Sequence, residues 1–305
     1  MSNKKKKGRA VDGILLLDKP CGISSNAALQ RVKRIFNAQK AGHTGSLDPL
    51  ATGMLPVCLG QATKVSSYLL EADKVYQVSM KLGEKTTTAD AEGEVIEKRP
   101  VEDYSLEYIE TVLQRFRGEL EQIPPMHSAL KHQGQPLYRL ARQGIEVERK
   151  ARKVTIQRLD LIVYENDTMQ LDVACTKGTY VRTLVEDMGE VLGCGAHVTA
   201  LRRTQVAGFQ PARMVTMEIL EEAGNHQDFE QLDALLLPIE AALAHFPEVS
   251  LARDLLFYLR RGQAVLVPHA PTQGWVRLYG ENALFVGIGR VLDDGRIAPQ
   301  RLVNM

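Results

Sequence analysis

A chain of 305 residues with 44% hydrophobic content can bury a sizeable core, as one large domain plus a small one or as two domains. The formal charge is only +1 and no run of about 18 apolar residues occurs, which excludes a membrane-spanning helix and leaves no global nucleic-acid signal. Cys21, Cys58, Cys175 and Cys194 are scattered without Cys-x-x-Cys spacing, which argues against a zinc or redox motif and for reduced thiols in the cytosol.

In chain order, Met1 to Ala10 carries Lys4, Lys5, Lys6, Lys7 and Arg9 with no apolar segment behind them, and reads as a disordered basic arm. Gly13 to Asp18 reads as a buried strand, broken by Lys19-Pro20-Cys21-Gly22. Ser24 or Ser25 caps a helix to about Asn37, with Leu29, Val32 and Phe36 on one face. The stretch Gly42-His43-Thr44-Gly45-Ser46-Leu47-Asp48-Pro49-Leu50-Ala51-Thr52-Gly53 follows, with three glycines and one proline in twelve residues. Glycine opens backbone angles closed to other residues and lets a ligand come near. Pro49 pushes Asp48 toward an extended conformation. Asp48 is therefore the only carboxylate on a stiff, bent loop. Read alone, the stretch is at least as well explained as a capped turn, since Asp-Pro and Thr-Gly are ordinary turn dipeptides.

Met54 to Leu59 reads as a strand and Ala62 to Leu70 as a short helix. Lys74 to Leu82 alternates, with Tyr76, Val78, Met80 and Leu82 on one face. Thr86 to Gly93 reads as a polar turn, and Ser105 to Arg117 as a helix. Two prolines at 124 and 125 open a long exposed excursion. Residues 139–158 carry a local net charge of +5, whereas Met214 to Ser250 holds eight acids and no Lys or Arg, so one surface suits a polyanion and another does not. Val154 to Val163 and Met169 to Cys175 alternate as paired strands. A helix opens after Lys177-Gly178-Thr179-Tyr180, its stripe of Val181, Leu184, Val185, Met188 and Leu192 leaving Arg182 aside. Thr199 to Arg203 reads as a strand, and Leu220 to Phe246 as an acidic helical link. Gln263 to Val267, Trp275 to Tyr279 and Ala283 to Ile288 read as short strands, with Gly287-Ile288-Gly289 and Asp293-Asp294-Gly295 as turns of a small barrel.

The Asp48 stretch closely resembles the catalytic loop of the TruB family of tRNA pseudouridine synthases. The resemblance covers nearly the whole chain. It includes Leu15-Leu16-Leu17-Asp18-Lys19-Pro20, Lys74-Val75-Tyr76, Thr86 with Thr88, Asp90 and Gly93, Ser128-Ala129-Leu130-Lys131, Lys177-Gly178-Thr179-Tyr180-Val181-Arg182, Gly193-Cys194-Gly195-Ala196-His197 and Leu201-Arg202-Arg203. Ser46, His127 and Met188 depart from the usual threonine or alanine, tyrosine and leucine.

The resemblance implies an α+β fold, a mixed and mainly antiparallel sheet with flanking helices, followed by a small PUA-like β-barrel. It implies a synthase domain over residues 11–249, with an RNA-binding excursion at about 124–152, and an RNA-binding domain over 250–305. The implied reaction converts uridine 55, in the T loop of tRNA, to pseudouridine. It needs no cofactor and no metal, and implies a cytoplasmic monomer without an obligate protein partner.

By the same resemblance Asp48 is the catalytic carboxylate, kept ionised by Arg182, since an opposite charge lowers an Asp pKa by ~1–3 units. Tyr76 stacks on the extruded uracil, a contact worth about 1–3 kcal/mol. His43 fills or props the gap in the RNA loop, Tyr180 and Leu201 contact the uridine, and Lys19 supports the Asp48 loop. Lys131, Arg149, Lys150, Arg152 and Lys153 meet the RNA backbone. Two other classes compete: a non-catalytic RNA-binding protein using the same surface, and a hydrolase that releases the base.

Overall fold

The computed structural model describes residues 8–303. Lys4, Lys5, Lys6 and Lys7 of the expected arm lie outside the described residues. Its far end is held in place: the Arg9 backbone N–H donates to Asn37 O at 2.7 Å, and its guanidinium pairs with Asp233 and lies 4.4 Å over the Phe229 ring.

The chain opens with β1 (Gly13–Lys19), whose seven residues are nearly all buried, and helix α1 (Ser25–Ile35). Ser24 caps α1 by accepting from the Ala27 N–H at 3.2 Å. Next come β2 (Ala41–His43) and β3 (Thr52–Leu59), which bracket the Asp48 loop. The single helix expected from Ala62 to Leu70 is instead a 3-10 turn (Gly60–Lys64) followed by α2 (Ser66–Glu71). Strand β4 (Lys74–Leu82) alternates as expected, with Lys74, Tyr76, Val78, Met80 and Leu82 buried. The hairpin β5 (Glu84–Thr86) and β6 (Val95–Lys98) frames the Thr86–Gly93 turn, and α3 (Leu106–Gln114) and β7 (Gly118–Gln122) follow.

The excursion contains a small hairpin, β8 (Lys131–His132) and β9 (Gln135–Pro136), and the short helix α4 (Leu137–Ala141). Then β10 (Arg152–Glu165), β11 (Thr168–Cys175), α5 (Val181–Leu192) and β12 (Ala196–Val206) complete the centre. The acidic segment forms β13 (Val215–Thr216), α6 (Met217–Asn225), α7 (Phe229–Ala234) and a 3-10 turn (Ile239–Leu243). The last stretch is β14 (Glu248–Ser250), α8 (Arg253–Arg260), β15 (Trp275–Tyr279), β16 (Phe285–Val291) and β17 (Ile297–Leu302).

The main sheet runs β13-β1-β3-β12-β4-β11-β10-β7, with β2 also paired to β3. Only β1–β13 and β3–β12 are parallel, so the sheet is mixed and mainly antiparallel as expected. Helices α1, α3, α5 and α6 bury their apolar stripes on it, giving one core that joins Phe36, Val32, Ile109, Leu184 and Leu220 to Leu15, Leu55, Met80 and Leu171. A second sheet runs β14-β15-β16-β17. Its Tyr279, Phe285 and Ile288 share a further core with Ile14, Leu16, Met54 and Cys58, so the two sheets are packed together.

Two expectations for the last stretch are corrected and a third holds. Gln263 to Val267 is no strand and has only an isolated bridge, Val265 to Ile297. Gly287 and Gly289 lie inside β16, where a Cβ on Gly287 would meet Arg301 O at 2.2 Å; close strand approach, not turning, requires glycine there. Asp293-Asp294-Gly295 does form the turn between β16 and β17.

Candidate active site

Sheet register brings the site together. Arg203 of β12 lies opposite Tyr76 of β4, and Leu201 lies opposite Val78, all along one stretch of paired backbone. Lys19, the last residue of β1, lies opposite Gly53, the far end of the Asp48 loop. The loop therefore sits above the β4–β12 seam, and α5 delivers Arg182 from its first turn.

The loop is held by three buried polar devices. Lys19 Nζ donates to Pro20 O at 2.8 Å, Ile23 O at 2.7 Å and Pro49 O at 3.4 Å. Ser25 Oγ donates to Leu47 O at 2.9 Å and accepts from the Leu47 N–H at 2.7 Å. Arg203, 1% exposed, donates through Nε to Met54 O at 2.7 Å and through Nη2 to Gly45 O at 3.0 Å, tying both ends of the loop. Gly45 has φ +76° and Gly53 φ +96°; a Cβ on Gly53 would meet Arg203 O at 2.3 Å. Both positions need glycine.

Arg182 is not the solvated surface residue its place beside the apolar stripe implied. Its side chain is 7% exposed and joins three segments. Nε lies 3.0 Å from Asp48 Oδ2, and Nη1 lies 3.3 Å from Asp90 Oδ2. Nη1 also donates to Thr88 O at 2.8 Å, and Nη2 to His127 O at 2.7 Å, the latter in the excursion. In the sequence Asp90 marks a polar turn and belongs to the resembling motif, with no role of its own. It is 2% exposed, and Thr88 Oγ1 and the Glu92 N–H also serve it, at 2.6 and 3.1 Å. Its signal in the sequence is the run of threonines around it; nothing in the pattern announces that the turn folds inward.

Asp48 itself keeps 41% of its side chain exposed toward the cavity. Desolvation pushes its carboxyl above the ordinary value, Arg182 draws it back down, and Asp90 pushes it up again. The expected net depression by Arg182 is therefore corrected: loss of water outweighs the ion pair. The open side of the carboxyl and the contact at 3.0 Å both favour its charged form.

A cavity of about 300 Å³ is lined by Gly45, Asp48, Lys74, Tyr76, Tyr180, Arg182, Leu201 and Arg203, among others. Burial raises the phenols of Tyr76 and Tyr180, so both remain protonated donors. Buried Gln122 fixes the Tyr180 backbone, accepting from its N–H at 3.0 Å and donating to its O at 3.3 Å. A larger hollow of about 480 Å³ beside α8 holds no such ion pair, so size does not mark the chemistry.

Not every expected residue lines this cavity. Lys19 lies behind the loop, and His43 sits on β2 with a buried, unpartnered Nδ1; burial, then Arg203, lowers its pKa and keeps it neutral. Of the basic run, Lys131, Lys150 and Arg152 are exposed. Lys153 is paired with Glu119 at 2.7 Å, and Arg149 donates to Pro124 O at 3.2 Å and pairs with Glu146 at 2.8 Å. Glu146 is already counted in the local +5, so among these pairs only Glu119 of β7 offsets part of that excess.

Comparison with known proteins gives three consecutive family matches. Residues 33–181 match "TruB family pseudouridylate synthase (N terminal domain)", residues 182–244 "tRNA pseudouridylate synthase B C-terminal domain", and residues 247–303 "Pseudouridine synthase II TruB, C-terminal". The tRNA pseudouridine synthase B of Coxiella burnetii (strain RSA 493 / Nine Mile phase I) is 56% identical over 296 residues, 97% of this chain and 96% of that one. The protein of that name in Nitrosococcus oceani is 57% identical over 296 residues, with the same coverage. Among solved structures, a chain of the Cbf5-Nop10-Gar1 complex superposes with a TM-score of 0.74 at 27% identity, over 96% of this chain and 84% of that one.

Proposed function

Because the chain belongs to the TruB family of pseudouridine synthases, we propose that it isomerises uridine 55 in the T loop of tRNA, with Asp48 as the catalytic carboxylate. Conversion of a tRNA uridine to pseudouridine is the family's reaction; the choice of uridine and the residue roles are our reading. The observation that carries it is the Asp48–Arg182 pair at 3.0 Å in a cavity walled by Tyr76 and Leu201.

The target uridine leaves its stack, at a cost of roughly a few kcal/mol, and enters this cavity. Tyr76 stacks on the uracil, while Tyr180 and Leu201 hold the nucleotide. Asp48 acts on the ribose, as nucleophile at C1′ or as base toward the C2′ proton, while the C1′–N1 bond breaks. The uracil turns in place and C1′ joins C5. The C5 proton leaves to solvent and N1 gains one, so substrate and product are isomers and no external reactant enters. Arg182 holds Asp48 in position and balances its charge.

Outside the cavity, His43 props the RNA loop and Lys19 braces Pro49. Exposed Lys131, Lys150 and Arg152 meet backbone phosphates first, with Arg149 and Lys153 joining once their acids let go. Residues 11–249 act as the synthase domain and 250–305 as a PUA-like RNA-binding domain, in a cytoplasmic monomer. The test is release of tritium from C5-labelled uridine in a tRNA transcript, compared with a transcript carrying cytidine at position 55. Release that stops with the cytidine transcript supports the reading. Release that persists there assigns another uridine, and loss of uracil with an abasic product assigns a hydrolase.

A further inference from the structure

The cavity beside Asp48 is lined by three buried cations, and only one of them is balanced. Arg182 faces Asp48 and Asp90. Lys74 and Arg203, 7% and 1% exposed, make no ion pair among the described residues. Leaving two buried cations side by side without an anion is unfavourable unless something charged arrives.

Lys19 shows what a purely structural buried lysine looks like here. Its three N–H groups meet three carbonyls, and it lies behind the loop, away from the cavity. Lys74 donates to Leu70 O at 2.8 Å and to Ala72 O, closing the end of α2, which leaves one N–H free. Arg203 commits Nε and Nη2 to Met54 and Gly45 and also serves the Tyr76 hydroxyl, but no carboxylate among the described residues faces it. The two side chains flank the same point. Arg203 Nη1 lies 3.4 Å and Lys74 Cε 4.0 Å from where a side chain on Gly45 would begin, and Gly45 has none. The result is a niche walled by the Arg203 guanidinium and the Lys74 side chain, both lining the cavity, with no steric cover.

We infer that Lys74 and Arg203 form a seat for one of the two backbone phosphates flanking the target uridine, an inference that rests on the uridine-isomerising reading of the cavity. Uracil and ribose are neutral, so those phosphates are the only anions the entering nucleotide brings. A phosphate accepts from a guanidinium and an ammonium together through charge-assisted bonds. The seat would set how deeply the nucleotide enters and hence where C1′ stops relative to Asp48. Burial and then Arg203 hold the Lys74 amine down to about 8, the behaviour of a cation awaiting its counter-ion.

The test is binding of the intact protein to T stem-loop RNAs, each with one phosphate replaced by a neutral methylphosphonate. For the wild type, neutralising a linkage next to the target uridine should weaken binding about tenfold, the scale of one charge-assisted contact. In Lys74→Gln the same replacement should cost less than about twofold, while Lys74→Arg should restore the sensitivity. Wild-type indifference to both flanking linkages overturns the seat, as does a Lys74→Gln protein that stays fully sensitive. Should Lys74→Gln not fold, the wild-type series repeated above pH 8 replaces it. There Lys74 loses its proton, with Arg203 and Asp73 the other charged groups facing it, while the Cys175 thiol, pushed up to about 11, and the raised Tyr76 phenol stay neutral. Sensitivity must then fade; sensitivity unchanged by pH overturns the seat. A stem-loop that does not bind at all sinks the T-loop reading together with the seat, whereas binding with indifferent linkages sinks the seat alone.

Discussion

Arg182 serves Asp48, Asp90, Thr88 and His127 with one guanidinium, so removing it strands two carboxylates, one of them buried. Arg182→Met should lose roughly 3–5 kcal/mol of stability, the usual cost of breaking a buried pair from one side. It should also move the acid limb of the single-turnover pH profile upward by ~1–3 units. The sign follows from Asp48: desolvation already raises its pKa and Arg182 opposes that, so without Arg182 the carboxylate protonates at a higher pH as pH falls. An unmoved limb would show that Arg182 does not govern Asp48. Tyr76→Phe should bind tRNA normally and lose most of the rate, because the ring still stacks while the buried hydroxyl, beside Arg203, is gone. Near-normal turnover per folded molecule would make Tyr76 a core residue only. At this scale the glycines and proline marked a stiff loop around Asp48, but only the family resemblance read that residue as catalytic rather than as a turn cap. The sequence carried Arg182 poorly, because helical periodicity marks it as off the stripe, and the Thr88–Asp90 turn that buries it comes from a distant hairpin.

Among the elements, the basic excursion and β10 divide their labour. Lys150 and Arg152 are exposed, and neither makes an ion pair among the described residues, whereas Lys153 must first leave Glu119. Lys150→Ala and Arg152→Ala should each reduce the slope of log affinity against log salt by roughly 1, and Lys153→Ala by less. Equal slopes for all three and the wild type would remove β10 from the interface. Strands β4 and β11 were legible because they alternate cleanly. The sequence suggests one helix across the 3-10 turn and α2 because Ala62, Val65 and Leu69 form one continuous apolar stripe through the break. Strand β17 escaped notice since it carries Pro299, which only an edge strand tolerates, and β17 is that edge. Helix α8 was hidden by its arginines and its single fully buried residue, Leu259.

For the molecule as a whole, the second sheet is part of a shared core, since Trp275 meets Tyr68 edge-on at 6.0 Å and Ile288 packs with Leu16 and Met54. Deleting residues 251–305 should therefore lower the melting temperature as well as RNA affinity. Turnover should persist in whatever fraction stays folded by circular dichroism, because the named cavity residues span only Gly45 to Arg203. Total loss of single-turnover chemistry at saturating folded enzyme would place part of the site in the second sheet. The larger claim is that register, loop anchors and buried charges all converge on one carboxylate. Its most direct test is Asp48→Asn in single turnover with tRNA, binding measured alongside. Asparagine keeps the shape and turns the chain as well as aspartate, but can neither attack nor take a proton. The account predicts native folding, near-native binding and a rate lower by many powers of ten; pseudouridine formed within about tenfold of the native rate, a barrier change of only ~1.4 kcal/mol, would contradict it.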